Sequence, residues 1–304
     1  MANETIEMER AYMKKTAITL AVLLFGAVSV FSAEKLRLVG SDILGPAIEK
    51  DVALIAKAAG IRVDFDMKGT YLALPELMAD KCDVAIIVVP RGNKMPEGLT
   101  AMPIAYQAAL VIVNDVNPME EISTGQLKQV YSREADPRAK MWQQLGVTDA
   151  NLRDIMAMST AYSDNMVIEV FKHMALDGTN LGTWVDMTSS GSDAINAIRT
   201  NNSAIAIVGK VKDGDGVKVL PVSKTSANKK AYSFRPDSES VSSGDYPMTL
   251  PFYVVFKPEN INKVKAFVKV LLDDRIAKCI EDKQFYAAPE NSRKKSIFEL
   301  DLSK

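Results

Sequence analysis

The sequence predicts an α/β fold in which helices cross over between strands of a largely parallel sheet. Three observations predict it. VAIIVVP at 84–90 and LVIVN at 110–114 are apolar throughout, as strands covered on both faces are. Other stretches place apolar residues at helical spacing, as Ile48, Val52, Ile55 and Ala59 do. Glycine, proline and hydroxyl-bearing residues punctuate the passages between the two kinds of segment.

Taken in order, Leu36 to Val39 reads as a strand that stops at Gly40-Ser41-Asp42. A helix begins after Gly45-Pro46 and ends at Gly60. Arg62 to Met67 is a strand, followed by Gly69-Thr70 and a short helix through Met78. The apolar runs at 84–90 and 110–114 come next. The middle of the chain carries weaker helical patterns near 124–131, 164–176 and 192–200, with a strand at 204–209. Residues 210–246, rich in Lys, Asp, Gly and Ser, read as loop-dominated. MTLPFYVVF at 248–256 is a strong strand, and an amphipathic helix follows from Ile261 to Leu272. Well-formed elements on either side of a looser middle suit a second lobe inserted within the first.

The N-terminus reads as a targeting segment. Lys14-Lys15 precede an apolar stretch from Ala17 to Phe31, and small residues follow at Ser32-Ala33. That is the order of a cleavable secretory signal over residues 1–33, with Met13 as an alternative start. Its alternative is an uncleaved membrane anchor. The segment carries three basic and three acidic side chains, so the mature chain keeps the net charge of −1. The expected location is periplasmic or otherwise extracytoplasmic.

A net charge of −1 advertises no surface for a polyanion, so nucleic acid is not an expected partner. Cys82 and Cys279, the two cysteines, leave a disulfide and two free thiols equally open. They cannot close a metal site alone, and no metal or cofactor is expected. His173, the one histidine, reads as a solvated residue on an amphipathic helix. No serine comes with a recognisable catalytic partner and no phosphate-cradling glycine loop is present, so an enzyme is not expected.

Gly40-Ser41-Asp42 admits two readings. Ser and Asp cap helices by accepting hydrogen bonds from unpaired N–H groups. The same strand-to-helix junction can present free N–H donors to a ligand.

Six segments, in order, resemble the phosphate-type periplasmic solute-binding proteins of ABC uptake systems. They are VGSD at 39–42, MKGTYLALPELMADKCDVAIIVVP at 67–90 and PIAYQAALVIVNDVNPMEEISTGQLKQVYS at 103–132. Trp142 with Leu145-Gly146, GSDAINAIRTNNSAIAIVG at 191–209 and YPMTLPFYVVF at 246–256 complete the set. The resemblance implies the type II two-lobe fold, with a ligand cleft between lobes joined by crossing strands. Lobe one would comprise residues 34–113 and 247–304, and lobe two residues 114–246. It also implies a monomer that captures a small polar molecule or oxyanion and delivers it to an ABC permease.

The resemblance favours the binding-loop reading and implies ligand contacts at Ser41, Asp42, Gly69, Thr70, Ser159, Ser163 and Asn165. It breaks where phosphate-holding members carry an acidic proton acceptor and an arginine. Val88 and Val89 stand at the first place, and Ser159 stands at the second. Ser163-Asp164-Asn165 also replaces Ser-Gly-Thr. Losing a fixed guanidinium removes bidentate, charge-assisted bonds to an anion, which argues against specific phosphate capture. The alternative function is an exported or membrane-anchored scaffold that keeps the fold without transport. SSGSD at 189–193 reads as a helix cap, with Ser192 structural.

Overall fold

The computed structural model describes residues 35–90, 92–161, 166–225 and 232–303. The predicted signal segment, Ser163 and Asn165 lie outside the described residues. Among the described residues, no helix is long and apolar enough to cross a membrane.

The chain begins with β1 (Leu36–Gly40), α1 (Leu44–Ala58), β2 (Val63–Asp66), α2 (Thr70–Met78) and β3 (Val84–Val88). Next come β4 (Thr100–Ala108), β5 (Leu110–Asn114), β6 (Ile122–Ser123), α3 (Thr124–Tyr131), β7 (Met156–Ser159) and α4 (Val167–Ala175). The centre continues with β8 (Asp186–Met187), α5 (Gly191–Thr200), β9 (Ala204–Val208), β10 (Val217–Leu220), β11 (Val222–Ser223), β12 (Ser233–Phe234) and α6 (Ser238–Ser243). β13 (Thr249–Phe256), α7 (Ile261–Leu271), α8 (Asp274–Asp282), β14 (Tyr286–Ala287) and α9 (Glu290–Leu302) finish it.

Two main sheets make two lobes. The first runs β14-β4-β13-β3-β1-β2 and the second β10-β5-β9-β7-β8, beside a small β12-β11-β6 sheet. The expected largely parallel arrangement holds for only part of each sheet. β1 pairs in parallel with β2 and β3, and β7 with β8 and β9. β13 and β14 enter the first sheet antiparallel, as β5 and β10 enter the second. Of these four, β5 and β13 directly follow a crossing between the sheets rather than a crossover helix, which frees their direction.

The chain crosses between the sheets at Ala109, so Leu110–Asn114 belongs to the second sheet, earlier than the expected division after residue 113. It returns just before Thr249. Tyr246 pins the two crossings together by donating its hydroxyl to the Ala109 carbonyl at 2.7 Å, and Ala109 N–H reaches the Met248 carbonyl at 3.0 Å.

The apolar runs are apolar because the first sheet is covered on both faces. Leu38, Ile86 and Val254 face the core under α1, α7 and α8, built from residues such as Ile48, Phe267 and Ile276. Their neighbours Val39, Ile87 and Val255 face the opposite way, onto Ala73 and Leu77 of α2. The second sheet buries Val111, Ile112, Ile205 and Ile207 with Tyr131, Trp142 and Phe171.

Residues 210–246 hold more order than expected. Val217–Leu220 forms the edge of the second sheet against β5. The long β4 was not expected either, because Pro103 sits in it. The pairing of β4 with β13 skips Ile104, an irregularity that accommodates a residue with no N–H to give.

Candidate functional site

Three loops at the ends of β1, β2 and β3 are stitched into one cluster. Gly40 has φ +141°, and a Cβ there would lie 2.1 Å from the Ile86 carbonyl oxygen. Only glycine lets β1 pass that close to β3. Ser41 N–H then donates to the same carbonyl at 2.8 Å, and Gly69 N–H donates to the Gly40 carbonyl at 2.7 Å. Gly69 also carries a positive φ, +102°.

The hydroxyls in this cluster hold backbone groups. Ser41, 1% exposed, accepts from the N–H groups of Ile43 and Leu44 at 3.2 Å each, at the start of α1. Thr70, first residue of α2, accepts the Val88 N–H at 2.9 Å. Ser41 thus holds the entry to α1 without being its N-cap, which is Ile43, and each hydroxyl still has its own proton to donate. Asp42 is exposed, and the place of a Cβ on Gly69 lies 3.6 Å from one of its carboxylate oxygens. The neighbouring cation is already engaged: Lys68 pairs with Asp66 at 2.8 Å. Lys68, followed by Arg37, holds the Asp66 carboxyl below its ordinary range against the opposing effect of burial.

Val88 and Val89 are half-buried, and Val88 packs against the apolar clusters of both main sheets. The end of β3 thus lies on the seam between the lobes.

Across the seam, Ser159 ends β7 fully buried, its hydroxyl without a partner among the described residues. Its carbonyl is used, accepting from Thr188 N–H at 2.8 Å. A buried hydroxyl left unpaired costs about 1–3 kcal/mol. Of the sequence candidates, then, Ser41, Asp42, Gly69 and Thr70 form one cluster on the first lobe. Ser159 stands on the second.

Gln107 was not foreseen. It is 1% exposed on β4, and its amide N–H reaches the Ala108 carbonyl at 3.2 Å, leaving Oε1 without a partner. A Cβ on Gly209 would lie 2.7 Å from a Val167 methyl and 3.4 Å from the Gln107 amide nitrogen, so Gln107 packs where β9 ends and α4 begins. Its signal in the sequence is one polar residue inside an apolar run.

The helix cap expected within 189–193 is present, but Ser192 is not the residue that makes it. Ser190 is the N-cap, accepting Asp193 N–H at 3.2 Å, whereas Ser192 lies exposed inside the first turn of α5. His173 is exposed on α4. Cys82 and Cys279 are free thiols, the second donating to Asp51 at 3.0 Å. Among the described residues no cluster of His, Cys, Asp and Glu is placed to hold a metal.

The fold recurs in known structures. A possible phosphate binding protein from Planctomyces limnophilus matches 88% of this chain and 97% of its own at 16% identity, with TM-score 0.67. PstS from Borrelia burgdorferi matches 84% and 98% at 17% identity, also with TM-score 0.67. Likenesses at such low identity are likenesses of fold. Protein SphX of Synechococcus elongatus is 25% identical over 179 residues, which are 57% of this chain. The chain spans about half the length of this curated relative, 51%. A PBP superfamily domain matches residues 29–275, and the chain belongs to that family.

Proposed function

We propose that this protein is an exported solute-binding protein that closes its two lobes on a small polar molecule, an oxyanion or a neutral solute, and presents it to an ABC permease. Lobe one would be residues 34–109 with 247–304, and lobe two the residues between. The observation that carries this reading is the buried, unpartnered Ser159 hydroxyl at the C-terminal end of β7. A hydroxyl kept dry and unpaired makes sense where a bound solute supplies the partner. Gln107 Oε1 is in the same condition.

Ser41, Asp42, Gly69 and Thr70 would contribute the opposite wall, with Ser163 and Asn165 closing over it as bilobed binders do. Export follows the basic–apolar–small order at 14–33 and would leave a mature N-terminus at Ala33 or Glu34.

Phosphate itself would bind weakly. The Val88 N–H is spent on Thr70, Lys68 is paired with Asp66, and no acidic acceptor stands at Val88 or Val89. Calorimetry with inorganic phosphate near neutral pH tests this. A sub-micromolar dissociation constant, more than about 8 kcal/mol, would overturn the weak-phosphate reading while supporting the solute-binding one.

A further inference from the structure

A cavity of about 430 Å³ runs along α5, lined by neither the first-lobe loops nor Ser159. Ser192, Asn196 and Arg199 face it from one side of the helix, spaced so that successive turns present them together. Lys212 and Gln284 face it from elsewhere. The side chains of these five residues make no hydrogen bond or ion pair with the described residues, so their donors are unspent. Asp215 is the one carboxylate in the lining among the described residues, and it accepts the Lys212 backbone N–H at 2.8 Å. Lys210 adds a third cation at the wall, although its ammonium turns to backbone carbonyls.

We propose that this cavity binds an organic anion of phosphate-ester or carboxylate type, gripped by Arg199 and Lys212 and oriented by Ser192, Asn196 and Gln284. The donor set is rich and the acceptor set poor, which suits a ligand of acceptor oxygens. The volume is that of a small-molecule site, far larger than a bare oxyanion fills. Gln284 leads into β14 of the first sheet and the other four belong to the second lobe, so the bound anion bridges the two lobes. Its lining includes Val167 and Gly209, against which Gln107 packs, so this inference adjoins the solute cleft and rests on the proposed function.

Isothermal titration of the full chain with glucose 6-phosphate and with citrate tests the proposal, with glucose as the uncharged control. We expect heat from at least one anion and none from glucose. Arg199→Gln and Lys212→Gln should each weaken that binding at least tenfold, and Ser159→Ala should leave it unchanged. No heat from either anion at millimolar concentration would overturn the proposal. So would binding that survives both charge variants. Binding lost on Ser159→Ala but kept on Arg199→Gln would also overturn it, while supporting the seam site instead.

Discussion

The ammonium of Lys210, just past β9 in the second lobe, donates to the Phe285 carbonyl of the first lobe at 3.1 Å. It also reaches the Glu281 carbonyl at 3.3 Å and lies 5.4 Å from the Tyr286 ring centre. Burial lowers its pKa from the ordinary lysine value, with Glu281 and Asp282 opposing that shift. This one side chain ties the lobes together outside the crossing strands. Lys210→Met should therefore cost about 1–2 kcal/mol, because the part-buried Phe285 carbonyl loses its donor while the exposed Glu281 carbonyl turns to water. Urea denaturation reads the loss. An unchanged midpoint would show that the tie is not energetically significant.

The close pass of β1 over β3 predicts a sharp difference between two glycines. Gly40→Ala drives a methyl into the Ile86 carbonyl and should cost about 3 kcal/mol or more, the upper end of overpacking. Gly60 also has a positive φ, +75°, but open space around it, so Gly60→Ala should cost only about 1–2 kcal/mol of backbone strain. Equal losses in thermal or urea melts would contradict the steric account.

Thr70 separates structure from binding. Thr70→Val strips the Val88 N–H of its acceptor and should destabilise the chain by about 1–3 kcal/mol, whereas Thr70→Ser keeps the hydroxyl and should retain most of that stability. Ser41→Ala removes the acceptor of the Ile43 and Leu44 N–H groups and should cost about 0.5–1.5 kcal/mol. Both should show in urea melts of the solute-free protein. If neither substitution moves the midpoint, these hydroxyls hold no backbone group in solution.

Much of the fold was legible because local chemistry and packing agree. The helix at 124–131 has Ser123 and Gln126 as a reciprocal cap and buries Leu127, Val130 and Tyr131 on one side. The strands at 84–88 and 110–114 advertise their burial on both faces. β4 was hidden by Pro103, whose place depends on the unpaired Ile104 beside it, an irregularity set by pairing with β13 that no local pattern reveals. β10 is four residues long and gains its order from pairing with distant β5. Within SSGSD, two serines fit a cap equally well, and the choice turned on Ser190 being the extended residue. The seam was half-legible: Ser159 stood out against the family pattern, but Gln107 acquires meaning only when Gly209 and Val167 pack on it.

The thiols predict behaviour in alkali. Burial pushes Cys82 up to about 12; burial, with help from Asp51, pushes Cys279 up to about 11. Buried Tyr131 and Tyr246 are raised too. Acids whose folded pKa is raised stabilise the fold fully below their unfolded values, 9.0 for cysteine, and lose that contribution as pH climbs through the folded values. The melting temperature should hold up to about pH 9 and fall towards pH 12, less steeply in Cys82→Ala. Both thiols should resist iodoacetamide at pH 8 until the chain is unfolded. Rapid native labelling of Cys82 would contradict its burial.

The central claim is that the seam between the lobes holds a solute through groups left unpaired without it. The most direct measurement compares thermal melts of the wild type and Ser159→Ala across inorganic phosphate, sulfate, other oxyanions and uncharged polar solutes. The account predicts that Ser159→Ala alone melts no lower than the wild type, since an unpaired buried hydroxyl is no loss. At least one solute should raise the wild-type melting temperature by mass action, and raise that of Ser159→Ala distinctly less. The claim is contradicted if no solute protects the wild type, or if the variant is protected equally.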